Sequence, residues 1–239
     1  MSLIKATKKR LFRNVFDSVK YRDSFVGQAL AELPQDYKLI DCGAGEQKYR
    51  KLCKHLNYTS QDFCQYDGNA EAGLDVGGVW DTHLIDIVSD IISIPVENDS
   101  FDAVLCTEVL EHVKNPYLVI KEFSRILKKG GTLILTAPFA SYTHMAPYHF
   151  CCGFNKYWYE ETLKSNGFSV TKMVANGNYF TELSVDLRRV PQVAKQYSIS
   201  VGILDKIIIA LLALKYGKIK GNGSSEFRCN EYMIIAKKE

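Results

Sequence analysis

The first residues with chemical potential stand in Leu39-Ile-Asp-Cys-Gly-Ala-Gly-Glu46, where a carboxylate closes an apolar run and two glycines follow at once. Such an arrangement ends a buried strand in a turn where backbone can approach a ligand closely. A dinucleotide site normally carries a third glycine three residues after the second, and Lys48 occupies that place. Asp41 at the strand end would repel a phosphate on the following helix and attract a cation. A cofactor bearing sulfonium and ammonium charges, S-adenosylmethionine, suits the turn better; a purely structural turn is the bland alternative. Asp62 follows at the end of a second expected strand, where a carboxylate can accept both hydroxyl hydrogens of a ribose, with Asp67 as a rival. Asp90 and Ile91, after a third segment, offer an acceptor for an adenine amino group and an apolar neighbour for its ring.

A second cluster lies in Thr136-Ala-Pro-Phe-Ala-Ser-Tyr-Thr-His-Met-Ala-Pro-Tyr-His-Phe-Cys-Cys-Gly-Phe154. Tyr142, His144, Tyr148 and His149 could form an acceptor pocket in which a histidine removes a hydroxyl proton. The alternative is an aromatic loop whose imidazoles are satisfied by backbone. The two histidines are His-x4-His, and no carboxylate or thiol at metal-ligand spacing completes a site, although Cys151 and Cys152 lie nearby; no metal is expected. Glu111-His112 reads as architecture and not as a proton-transfer pair.

The elements that must position these residues are legible from period and punctuation. Apolar residues from Leu11 to Leu33 recur at helical spacing until Pro34, which predicts N-terminal helices over 1–35. Strands are expected at 37–42, 57–62, 85–89, 101–106 and 131–137, with helices at 47–56 and 115–128 between them. That alternation implies an α/β parallel sheet, Rossmann-like in order. Between Phe63 and Leu84 the chain turns polar and glycine-rich (Gly73, Gly77, Gly78), so an irregular loop is expected in place of a second crossover helix. A helix at 157–166 and a strand at 168–174 follow, and a last strand at 232–236. The reading is one domain: N-terminal helices 1–35, a cofactor-binding core 36–175, a helical cap insertion 176–230 and a final strand within 231–239. The apolar run from Ile207 to Leu214 is too short to span a bilayer and reads as a buried helix or subunit interface, with shallow peripheral membrane contact as the lesser reading.

Composition excludes several classes. Thirty basic against 27 acidic residues, with no basic block, argues against nucleic acid as a partner. No apolar segment of signal-peptide type follows the basic residues of Met1 to Arg13, so a cytoplasmic location is expected. Seven cysteines without CxxC spacing indicate reduced thiols.

In their order and intervals, Leu39–Gly45, Asp62, Ser89-Asp-Ile-Ile-Ser-Ile-Pro95, Ser100–Val113 and Leu127–Leu135 resemble the successive motifs of class I S-adenosylmethionine-dependent methyltransferases, and within them the type 11 group. The resemblance covers about residues 36–175. It implies a seven-stranded sheet with an antiparallel last strand, S-adenosyl-L-methionine as cofactor and S-adenosyl-L-homocysteine as product. It implies that Asp41, Gly43, Ala44 and Gly45 line the methionine part, Asp62 the ribose, Asp90 and Ile91 the adenine, and Cys106, Thr107 and Glu108 the floor near the sulfonium. Gln47 stands where the family's fuller first motif has a third glycine. The expected reaction is methylation of a small-molecule or glycan acceptor, by preference on oxygen, with His144, His149 and Tyr142 as catalytic candidates. The acceptor loops would be 136–154 and 177–189, covered by the insertion. A catalytically silent cofactor-binding module and an NAD-dependent dehydrogenase are the competing readings.

Overall fold

The structure, a computed structural model, describes residues 17–69, 72–74 and 80–239; the reading of Met1 to Arg13 and the Gly77-Gly78 pair fall outside them. Among the described residues, seven strands form one mixed sheet: β1 (Lys38–Cys42), β2 (Asn57–Asp62), β3 (Ile87–Val88), β4 (Phe101–Thr107), β5 (Leu127–Pro138), β6 (Phe168–Asn176) and β7 (Glu231–Lys238). Their spatial order is β3-β2-β1-β4-β5-β7-β6. β1 runs parallel to both β2 and β4, and β7 runs antiparallel to β5. The order reverses between β1 and β4, and a reversal of that kind opens a crevice at the carboxyl ends of the two strands.

Both faces of the central strands are covered, which is why they read as unbroken apolar runs: Leu39, Ile40, Val104, Leu105, Leu133 and Ile134 are fully buried. On one side α1 (Ser18–Ala31) sends Phe25, Val26, Ala29 and Leu30 into a core shared with Leu39, Leu105 and Ile134. Elsewhere on the sheet α2 (Pro116–Ile126) opens with proline in its first turn and buries Val119, Ile120, Phe123 and Ile126, one stripe at helical spacing. Each such side chain contributes roughly 1.5–3 kcal/mol of burial free energy.

The same helix pins the loop after β3. Ile94 N–H donates to Glu122 Oε1 at 2.7 Å, and Arg125 donates to the Ile94 and Val96 carbonyls at 2.9 and 2.8 Å. A third helix, α3 (Lys156–Ser165), is capped by the Asn155 side chain, which accepts from Trp158 N–H.

Three expectations need correction. The helix expected at 47–56 is a series of turns with one short 3-10 segment, Arg50–Leu52. Gly43, Gly45 and Gln47 all have positive φ, so the chain changes hand three times before a right-handed helix can begin. The third strand is only Ile87–Val88, because Asp86 leaves the ladder direction and uses its carboxylate to hold Ser60 N–H and Oγ at 2.9 and 2.7 Å. The fifth strand starts earlier than expected, directly where α2 ends, with Gly130 at positive φ within it.

The chain divides into two compact units. Arg22–Val174 with Glu231–Glu239 make one; Ala175–Asn230 and the described residues up to Tyr21 make the other. In the second, α4 (Tyr179–Gln196) is capped by Asn178, whose Oδ1 accepts from Phe180 and Thr181 N–H. It packs on α5 (Ile203–Tyr216) through the Ser184 hydroxyl, which donates to the Ala213 carbonyl at 2.7 Å, and a stack of Phe180 on Tyr216. Burial of α5 is one-sided: Ile203, Leu204, Ile207, Ile208 and Leu211 are exposed, and Ala213 is the buried residue. A composition that reads as a core helix therefore presents an apolar face outward. Among the described residues no helix is long and apolar enough to cross a membrane. All seven cysteines are free.

Candidate functional site

The reversal between β1 and β4 holds a cavity of about 290 Å³ lined by the glycine turn, Asp41, Asp62, Thr107, Glu108 and His112, among others. A wider depression of about 870 Å³ lies at the opposite edge of the sheet, against Lys38, Asn57 and Phe101 at the amino ends of β1, β2 and β4. The carboxyl edge is where open α/β sheets bind ligands, and the chemistry-bearing residues are all there.

Gly43 has φ +71° and Gly45 φ +49°. A Cβ on Gly43 would run into the Val109 side chain, and one on Gly45 would stand 2.7 Å from the Trp80 ring. Both positions therefore require glycine, and they leave bare backbone facing the cavity. Asp62, at the end of β2, locks the turn: its Oδ2 accepts from Gly45 N–H and its Oδ1 from Cys64 N–H, both at 2.9 Å. An ionised carboxylate has about four acceptor positions, so two are left for a ligand. Asp41 lies beneath the turn, 2% exposed, and accepts from the Tyr58 hydroxyl at 2.7 Å. Burial, opposed by the Tyr58 hydrogen bond and aided by the nearby Asp62 charge, pushes its pKa up to about 7.

The floor is set by Glu108, at φ +56° directly after β4. Its Oε1 accepts from the Thr136 hydroxyl at 2.9 Å, and its Oε2 pairs with Arg22 at 2.7 Å. Arg22, brought in by α1, also bonds Glu231 at 2.9 Å, and its buried Nε has no partner. Burial and the Glu108 charge raise the Glu231 pKa to about 9. Arg22 and Glu231 were invisible to sequence reasoning, because they stand 209 residues apart and belong to no local motif.

The predicted residues divide by place. Asp41, Gly43, Ala44, Gly45, Asp62, Thr107 and Glu108 line the cavity. Cys106 is fully buried under it, where burial and the Asp41 charge keep the thiol protonated. Ile91 is buried in the loop after β3, and the exposed Asp90 caps that loop by accepting from Ile92 N–H at 3.1 Å. Asp67 likewise serves its own turn, accepting from Asn69 N–H at 2.9 Å.

Beyond the cavity mouth, three imidazoles converge. His112, which also lines the cavity, lies 4.7 Å from the His144 ring and 5.9 Å from that of His149; the last two are 4.9 Å apart. His149 Nε2 lies 3.0 Å from the Ser141 hydroxyl. Burial lowers the His112 pKa to about 4, and burial with the neighbouring His144 lowers that of His149, so both rings are neutral at pH 7. His112 thus belongs to the site through contacts that its place in a helix-like motif did not disclose. Tyr142 is exposed at the rim, and Tyr148 packs edge-on against Phe63.

The cavity residues fit S-adenosylmethionine. Bare glycine backbone admits a close ligand, Asp62 keeps free acceptor positions, and the carboxyl groups of Asp41, Glu46, Asp62 and Glu108 outnumber the cationic Arg22 and Lys48 on a wall that would meet sulfonium and ammonium charges. Sheet order, reversed last strand and glycine turn define a class I S-adenosylmethionine-dependent methyltransferase fold. Residues 40–135 match the model of the type 11 family described as "Methyltransferase domain".

Two curated relatives are similar to part of the chain. A ubiquinone biosynthesis O-methyltransferase of Dechloromonas aromatica is 30% identical over 127 residues, 52% of this chain and 53% of its own. An uncharacterized protein of Methanocaldococcus jannaschii is 29% identical over 126 residues, 53% of this chain and 52% of its own. The chain thus spans about half the length of these curated relatives. Among solved structures, phosphoethanolamine N-methyltransferase 2 of Haemonchus contortus with S-adenosyl-L-methionine superposes with a TM-score of 0.54 at 15% identity, over 96% of this chain and 55% of that one. The likeness at that identity is one of fold.

Proposed function

We propose that the whole chain is a methyltransferase that moves the methyl group of S-adenosylmethionine to a hydroxyl of a small-molecule or glycan acceptor. The observation that carries this reading is the cavity at the carboxyl edge of the sheet, whose wall, through His112, touches two further imidazoles. The cofactor supplies a methyl carbon activated by positive sulfur. The protein contributes position and the exclusion of water, since an in-line displacement gains most from reacting atoms held about 3–3.5 Å apart. Asp62 and the glycine turn hold the cofactor, Asp90 and Ile91 serve its adenine end, and the 136–154 loop holds the acceptor.

An alcohol is a poor nucleophile until its proton leaves, and His149 is the group that takes it, oriented by the Ser141 hydroxyl. His144 and Tyr142 shape the acceptor side of the same loop. The relative from Dechloromonas aromatica, an O-methyltransferase by name, supports transfer to oxygen.

The test is transfer of labelled methyl from S-adenosylmethionine to panels of phenols, sugars and amines, with His149→Ala alongside. Hydroxyl acceptors should turn over, and the variant should lose about 10²- to 10⁴-fold in kcat with cofactor affinity unchanged. Transfer confined to amines, or a variant as fast as the parent, would remove the base from the mechanism.

The outward face of α5 supports a further partner. From Lys195 to Lys220 the chain carries five lysines against one acidic residue, beside the exposed Ile203, Leu204, Ile207, Ile208 and Leu211. A basic rim around an apolar stripe suits peripheral contact with an anionic membrane surface. Phosphatidylglycerol vesicles should sediment the protein and phosphatidylcholine vesicles should not, while Ile207→Glu with Leu211→Glu should abolish the effect; sedimentation untouched by the double variant would place the contact elsewhere.

A further inference from the structure

The fold gives one of the two loop histidines, His144, a carboxylate and a second imidazole that its sequence spacing did not offer. Glu111, at the start of the segment after β4, comes within reach of His112 and His144, and one ligand atom from each lies within 4.8 Å of the others. Three ligands about 2.1 Å from one ion stand no more than about 3.6 Å apart in a trigonal plane and about 3.4 Å apart in a tetrahedron, so the loop closes on an ion by a movement of about 1 Å.

Hydrogen bonding orients these groups as ligands. His112 Nδ1 meets the Tyr148 carbonyl, and His144 Nδ1 meets the Tyr142 carbonyl at 2.8 Å. A carbonyl only accepts, so each Nδ1 carries the hydrogen and each Nε2 presents a lone pair. This is the outer-shell arrangement that fixes metal-binding imidazoles. Glu111 is 1% exposed, and its Oε2 has no hydrogen-bond partner. Its Oε1 stands 3.7 Å from His112 Nε2, outside hydrogen-bond distance and close enough to share a cation with it. The Glu111 carbonyl receives both Phe150 and Cys151 N–H, at 2.9 and 3.1 Å, tying the histidine loop to the segment that carries the other two ligands.

We infer that Glu111, His112 and His144 bind a divalent transition-metal ion of the zinc type at the edge of the cofactor cavity. Two imidazoles with one carboxylate suit zinc, cobalt or iron(II) and disfavour magnesium, which prefers an all-oxygen shell. The inference rests on the acceptor-loop reading above and deepens it: an ion there would hold the acceptor oxygen and ease loss of its proton to His149.

The experiment uses the full chain, stripped with chelator and titrated with cobalt(II), following visible absorption and bound metal by mass spectrometry. One cobalt per chain is expected, competed by zinc and not by magnesium. His144→Ala should weaken binding by at least about tenfold, Glu111→Gln should do the same, and His149→Ala should leave it unchanged. Because Glu111 is buried, circular dichroism checks that its variant folds, and His144→Ala on the partly exposed loop carries the test if it does not. No cobalt binding, or binding indifferent to His144→Ala, overturns the site. Titration of the stripped protein with S-adenosylmethionine separates the readings: cofactor binding without any metal site sinks the ion alone, and loss of both sinks the methyltransferase reading too.

Discussion

Replacing Asp62 with alanine should weaken S-adenosylmethionine and S-adenosylhomocysteine binding by about two to three orders of magnitude, the largest effect on affinity of any single cavity residue. The carboxylate has two roles at once. It holds Gly45 N–H and Cys64 N–H, which shape the glycine turn, and its free acceptor positions face the cavity. Hydrogen bonds to a charged acceptor are worth about 1.5–3 kcal/mol each, and every 1.4 kcal/mol is tenfold in affinity. Asp62→Asn keeps one acceptor oxygen and should fall between parent and alanine variant. Calorimetric titration measures both, with circular dichroism as the check on folding. Equal affinity in parent and Asp62→Ala would remove the ribose from this side chain.

The second large effect is on stability and follows pH. Asp41 titrates near 7 in the folded chain, against about 3.9 for an unperturbed aspartate. The folded state therefore holds a proton that the unfolded state has released, and the contribution is full below pH 4. It is lost as pH rises through 7, in total about 4 kcal/mol at most. Glu231, raised to about 9, slopes the same way, whereas His112, lowered to about 4, gains stability as pH rises from 4 to 6.5. The informative quantity is thus a difference between variants. Urea unfolding at pH 5 and pH 8 should show a stability gap that is about 2–3 kcal/mol smaller in Asp41→Asn, which cannot ionise, than in the parent. Tyr58→Phe, which removes the hydrogen bond opposing the shift, should move the Asp41 transition to higher pH. A parent and an Asp41→Asn variant with the same pH slope would show that water reaches the carboxylate.

Much of this site could be read before any coordinates. The places of the strands, though not the bounds of β3 and β5, were legible with the glycine turn and Asp62 because they are local: period, hydrophobicity and a turn that only glycine can make. Cofactor class followed, since carboxylates at the ends of neighbouring parallel strands come to the same edge of the sheet, as Asp41 and Asp62 do, Asp41 pairing with Ser60 two residues before Asp62. The helix expected at 47–56 misled for the opposite reason. Its polar and apolar residues have helical spacing, but three left-handed residues in the turn before and within it decide the backbone.

What the sequence by itself determined is therefore the sheet, its order of elements and the cofactor edge, each specified by neighbours a few residues apart. Only the tertiary structure decided the rest. It joined Arg22 to Glu231, gathered His112 with His144 and His149, set Glu111 beneath them, and left one face of α5 uncovered. Those facts depend on which surfaces meet when distant segments pack, and hydrophobic period records only that a residue is buried, not against what.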